Sequence, residues 1–389
     1  MKKITVQPAS RIEHLPPYLF ATIDAMKQKE KGKGTDLIDL SIGDPDIPTP
    51  VHIVRAMKKA VENPVHHRYP SYEGMISYRE AVARWYENRF GARLSPHTEV
   101  LSLIGSKEGI GHIPLAFVNP GDIVLVPSPG YPVYAVGTLF SGGKSYFMPL
   151  LEKNDFLPDL GAIPGKILQK TKLLFINYPN NPTSASAGEG FFKEVIRMAR
   201  QHNIIVCHDA SYTEIYYDKR PLSFMQVPGA KDVGIEFHSL SKTYCMTGWR
   251  IGFAVGNKDV LAGLGKVKTN LDSGVFQAIQ EAAIAALDTD DNILSGIRKT
   301  YRERRDALCG GLEKLGMDLR KPDATFYVWA KAPSEFGSMG FVAHMLSKSG
   351  VLATPGNGFG AAGEGYVRFA LTAPVPRIQE AVERIGRVL

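Results

Sequence analysis

Short apolar runs separated by stretches of helical period organise the middle of the chain. VLSLIG, DIVLVPS, KLLFINY and IIVCHDA lie between Val100 and Ala210. They lack the strict alternation of a strand with one wet face and suit a sheet buried on both faces. Around them SKEGIGHIPLAFV, YPVYAVGTLF and GFFKEVIRMARQH read as helices. This rhythm predicts an α/β fold with a mostly parallel central sheet and helices on both faces. Two later runs, IEFHSLS and RIGFAVG, follow one another with no helix between and predict an antiparallel strand.

The flanks read differently. The N-terminal LPPYLFATIDAM predicts an arm, part helix and part extended, leading to a short strand in LIDLSIG. GDPDIPTP, with three prolines, and HRYPSYEGM are loops. Helices are predicted over Val51–Asn63 and Ser77–Phe90, and long helical stretches from Val275 to Leu315. Beyond them strands (ATFYVWA, YVRFAL) mix with helices (FVAHMLSK, RIQEAVERIGRVL) in a smaller α/β part expected to pack with residues near the N-terminus. The expected division is an arm with part of the small domain over 1–50, a large domain over 51–285, and a small domain over 286–389.

Composition changes this picture little. The 389 residues are 44% hydrophobic and 22% charged, enough for a large core. No apolar run approaches the roughly 18 residues of a membrane span, and MKKITVQPAS lacks the apolar core of a secretory signal. Three scattered cysteines form no CxxC pair, which fits a reducing cytoplasm and argues against a structural metal. The net charge of +7 suits anionic ligands or a solvated surface. The basic run KQKEKGKG is broken by Glu30 and two glycines, unlike a nucleic-acid stripe.

Candidate chemistry gathers where apolar runs end, the place ligands occupy in open α/β sheets. SLSKTYCMTGWRIG sets Lys242 in a tight loop between two strand runs. Lys242 there suits a Schiff base with an aldehyde cofactor, with Ser239, Ser241 and Arg250 on its phosphate. Ser106 and Lys107 open a helix after VLSLIG, reading either as a phosphate site or as an ordinary cap. Tyr131 precedes Pro132 and suits a ring laid on a heteroaromatic face or a core position. Asn181 sits between prolines in YPNNPT and presents an amide. Asp209 ends an apolar strand, where a carboxylate either caps a turn or needs a cation such as a protonated pyridine nitrogen. Tyr212 lies three residues on and suits the ring hydroxyl, jointly with Asn181.

In order, kind and spacing, this set resembles the fold type I, pyridoxal-phosphate-dependent class I/II aminotransferases. Asn181 and Asp209 are 28 residues apart, and Lys242 and Arg250 eight. LPPYLFATID, IGSKEGIGHIPLAFVNPGD, SLSKTYCMTGWRIGFAVGN and DSGVFQAIQ resemble more narrowly the LL-diaminopimelate aminotransferase group. The resemblance implies pyridoxal 5'-phosphate as cofactor, with Lys242 as its lysine, and amino acids and 2-oxo acids as substrates. It implies Arg368 and Gly43 on the substrate α-carboxylate. Tyr69 would reach the neighbouring subunit's site in a cytoplasmic homodimer, and Tyr18, Glu73 and Asn270 would read the distal aminocarboxylate. The chain departs from the group twice. Plant-type members carry their glutamate where Tyr72 stands here, and Ser184 replaces the glycine usual after NNPT.

Overall fold

The computed structural model describes residues 4–16 and 19–389. Its strands in chain order are β1 (Ile38–Asp39), β2 (Val100–Leu103), β3 (Ile123–Ser128), β4 (Lys144–Pro149), β5 (Thr171–Asn177) and β6 (Ile205–Asp209). There follow β7 (Gly234–Ser239), β8 (Gly252–Gly256), β9 (Tyr327–Lys331), β10 (Val351–Leu352), β11 (Thr354–Pro355) and β12 (Tyr366–Ala370).

Seven strands make the central sheet in the order β2-β8-β7-β6-β5-β3-β4. The inner and far pairs are parallel, and β8 runs antiparallel to both β7 and β2. That is the antiparallel strand expected from IEFHSLS and RIGFAVG. Alternate residues bury on opposite faces. Leu101, Val124, Leu173 and Ala254 join one apolar cluster; Val100, Leu125, Leu174 and Phe253 join the other. The edge strand β4 was not legible as an apolar run, because of its six residues only Met148 is buried.

Helix Ser106–Phe117 lies against one face beside Lys258–Leu271. Helices Val51–Val61, Ile76–Phe90 and Gln277–Leu287 pack together. The long helical stretch predicted to Leu315 breaks at Asp288–Asp290. The Asp290 side chain then accepts from Asn292 N at 2.7 Å and starts a new helix, Asp291–Lys314.

The chain ends meet as expected. β1 pairs in parallel with β10, and β11-β12-β9 form a three-stranded antiparallel sheet. Two contacts tie down the segment after β1, one to this second sheet and one to helix Asp291–Lys314. Ala370 N donates to Leu40 O at 2.7 Å, and Arg304 grips Asp46 at 2.5 and 2.8 Å. No helix among the described residues is long and apolar enough to cross a membrane.

Candidate active site

β2, β3, β5, β6 and β7 all end at one edge of the central sheet, and β8 begins there. The turns at that edge carry Ser106, Lys107, Tyr131, Asn181, Asp209, Tyr212, Ser239, Ser241, Lys242 and Arg250, and all ten line one cavity of about 460 Å³. The opposite wall comes from the loop after β1 (Ile42, Gly43, Asp44) and from Tyr327 on β9 and Arg368 on β12.

Lys242 lies in a single helical turn, Leu240–Thr243, that the Ser239 side chain starts by accepting from Ser241 N at 3.2 Å. Its Nζ donates to Gly43 O at 2.5 Å. Burial lowers its amine to about 8, and the charges of Arg368 and Arg250 push the same way against Asp44. An amine so placed is unprotonated far more often at neutral pH than a surface lysine.

Asp209, 5% exposed, accepts from Tyr134 Oη at 2.8 Å on one oxygen and from Ser211 Oγ at 2.6 Å on the other. The segment after it is a turn, not a helix, so capping a helix does not explain this acid. Among the described residues no cation pairs with it. A buried carboxylate without a cation costs several kcal/mol, so the site suits a ligand bearing a positive charge at this end.

The other end suits an anion. Hydroxyls of Ser106, Ser239 and Ser241 and the Arg250 guanidinium gather beside the first turn of helix Ser106–Phe117. Ser106 is not the cap of that helix; Gly105 is, at φ 73°. A side chain at Gly105 would lie 2.4 Å from Arg250 Nη2, so only glycine admits the guanidinium.

Arg368 is 1% exposed and donates to Asn181 Oδ1 at 2.8 Å and Ser41 O at 2.7 Å. Its guanidinium lies 4.2 Å from the Tyr327 ring centroid and 4.8 Å from that of Phe359. Among the described residues no acid pairs with it, and its Nε is buried without a partner. Such a buried cation suits a ligand carboxylate. Asn181 is held by Arg368 and by its own N–H on Asn177 Oδ1 at 2.8 Å, leaving its NH2 as the group available to a ligand. Ser184 adopts φ 62°, the left-handed region that favours the usual glycine, and its hydroxyl is tied to Tyr327 O at 2.8 Å.

Among the expected residues that are described, three do not line this cavity. Tyr18 lies outside the described residues. Tyr69 is 87% exposed. Glu73 faces Arg79 at 3.6 Å, and Asn270 bonds Lys266 O at 2.8 Å on an exposed helix end. Sequence reasoning also missed Tyr134, Ser211, Tyr327 and Asp44. Tyr327 Oη lies 2.9 Å from Tyr212 Oη, 115 residues away in sequence. The one available signal for Tyr134 was its place three residues after Tyr131, one helical turn along.

A profile of aminotransferase class I and II matches residues 35–385. The chain belongs to this family and is a transaminase. It is 56% identical over 383 residues to an LL-diaminopimelate aminotransferase from Nitratidesulfovibrio vulgaris, covering 98% of each chain. With a protein of the same name from Oleidesulfovibrio alaskensis it shares 57% over 380 residues, covering 97% of this chain and 98% of that one. Among solved structures, substrate-bound BacF from Bacillus subtilis matches with TM-score 0.95 and 38% identity, covering 99% of this chain and 98% of that one. A probable N-succinyldiaminopimelate aminotransferase from Thermus thermophilus matches with TM-score 0.91 and 36% identity, covering 95% and 100%. The mostly parallel sheet with helices on both faces is this family's fold.

Proposed function

We propose that the protein is an LL-diaminopimelate:2-oxoglutarate aminotransferase using pyridoxal 5'-phosphate. Acting toward biosynthesis, it makes LL-diaminopimelate from tetrahydrodipicolinate and glutamate on the route to lysine. The observation that carries the chemistry is Lys242, an amine lowered to about 8, lining one cavity with the acid Asp209 and the acid-free cation Arg368. The choice of amino acid rests on relatives at 55–57% identity over nearly the whole chain that bear this name.

The residues fit the cofactor at both ends. Ser106, Lys107, Ser239, Ser241 and Arg250 would hold the phosphate, and Asp209 the ring nitrogen, itself oriented by Tyr134 and Ser211. Tyr131 would lie on the ring face, with Asn181 and Tyr212 on the ring hydroxyl. Pyridoxal phosphate supplies an aldehyde that accepts the amino group and a ring that withdraws electrons from Cα. Arg368 binds the substrate α-carboxylate beside the Gly43 backbone. Lys242 Nζ takes the proton from Cα, which its lowered basicity lets it do near neutral pH.

We further infer a cytoplasmic homodimer. Tyr69, Tyr72, Ile76 and Leu271 are exposed apolar side chains outside the cavity. Paired across two copies, they would bring Tyr69, Glu73 and Asn270 to the neighbouring site. The test is a half-reaction on the cofactor-loaded protein without oxo acid, following cofactor absorbance. LL-diaminopimelate, the meso isomer, aspartate and alanine are added separately. Rapid conversion by the LL isomer alone is expected; equal conversion by aspartate or alanine marks a general transaminase, and no conversion overturns both, pyruvate release from cystathionine then marking a lyase.

A further inference from the structure

Among the described residues, two carboxylates line the cavity, Asp44 and Asp209. Both Asp209 oxygens are engaged, by Tyr134 and Ser211. Asp44 is exposed at the rim and, among the described residues, accepts no hydrogen bond and forms no ion pair. Four cations line the same space: Lys107, Lys242, Arg250 and Arg368. Among the described residues that line the cavity, Asp44 is thus a carboxylate left free at the rim to hold an ammonium.

Its place in the chain gives the geometry. Ser41 O takes the Arg368 guanidinium at 2.7 Å, and Gly43 O takes Lys242 Nζ at 2.5 Å. The segment from Ser41 to Asp44 therefore runs from the carboxylate anchor, past the reacting amine, to the rim. Three residues span at most about 10 Å, within reach of an amino acid carrying several methylenes. The Asp44 charge is already felt at Lys242, where it opposes the lowering by burial.

We propose that Asp44 is a specificity-determining residue that binds the distal ammonium of a diamino acid substrate. This rests on the diaminopimelate reading above and assigns to this chain's own rim a contact that Glu73, paired with Arg79, does not make within the subunit.

The experiment compares holoenzyme and its Asp44→Asn and Asp44→Glu variants in half-reactions with LL-diaminopimelate and with glutamate. The ratio of kcat/KM for LL-diaminopimelate to that for glutamate is expected to fall at least about tenfold in Asp44→Asn, chiefly through KM, and to recover in part in Asp44→Glu. An unchanged ratio overturns the proposal. So does an equal fall for both donors, which would place Asp44 with Lys242 and not with substrate. If the unaltered enzyme refuses LL-diaminopimelate, the functional reading fails by itself. Competition by L-lysine against L-norleucine then tests Asp44: a preference for lysine lost in Asp44→Asn supports the contact, and no such preference overturns it.

Discussion

Gly43 and Tyr327 form a contact that one carbon atom can probe. A Cβ at Gly43 would lie 1.9 Å from Tyr327 Oη and 2.8 Å from its Cζ. The Gly43 backbone lies outside the left-handed region, so Gly43→Ala introduces contact and no backbone strain. Tyr327 has little room to retreat. It is 2% exposed, its hydroxyl lies 2.9 Å from that of Tyr212, and Arg368 covers its ring at 4.2 Å. Overpacking of this kind costs about 1–3 kcal/mol. Tyr327→Phe removes the atom of closest approach but leaves the Tyr212 hydroxyl without its partner, costing about 1–2 kcal/mol. In the double variant the two costs overlap, and it should be more stable than the sum of the singles by about 1 kcal/mol or more. Urea unfolding of the four cofactor-free proteins measures this. Displacing Tyr327 also moves Tyr212 and Arg368, so Gly43→Ala should lower kcat/KM on the order of a hundredfold. Additivity within about 0.5 kcal/mol would refute the reasoning, because the clash and the hydroxyl would then be independent.

Arg368→Met should lower kcat/KM for α-amino acids by about two to four orders of magnitude. Stability should fall by no more than about 1–3 kcal/mol, because relief of a buried cation without an acid offsets the donors that Asn181 Oδ1 and Ser41 O lose; a larger loss in thermal or urea unfolding would contradict this. The Lys242 amine, at about 8 in the folded protein against 10.5 for an ordinary lysine, fixes a pH dependence. Condensation of the cofactor-free protein with pyridoxal phosphate, followed by absorbance, should rise through pH 8 and level off above it, whereas a rise continuing toward 10.5 would show an unperturbed amine. The unfolded chain binds more protons between these two values, so the folded state gains stability as pH rises across that window. The penalty for burying the ammonium is fully present below pH 8.

What the chain alone determined is local. Buried runs such as KLLFINY marked strands because both faces of a central strand are apolar, and Lys242, Asp209 and Asn181 stood out because each follows such a run directly. The order of those runs placed their ends on one edge, which is why ten cofactor-side residues named from sequence line one cavity. Edge strand β4 escaped notice because one buried residue, Met148, leaves no pattern. Tertiary structure decided the rest. Tyr134 meets Asp209 across 75 residues, Tyr327 meets Tyr212 across 115, and Arg368 meets Ser41 across 327. No local period encodes which polar group a side chain finds at such separations; packing of the second sheet against the strand ends does. For the same reason Glu73 and Asn270, read as substrate contacts, stand outside the cavity of their own chain, while Asp44, two residues from the Arg304-held Asp46, stands at its rim.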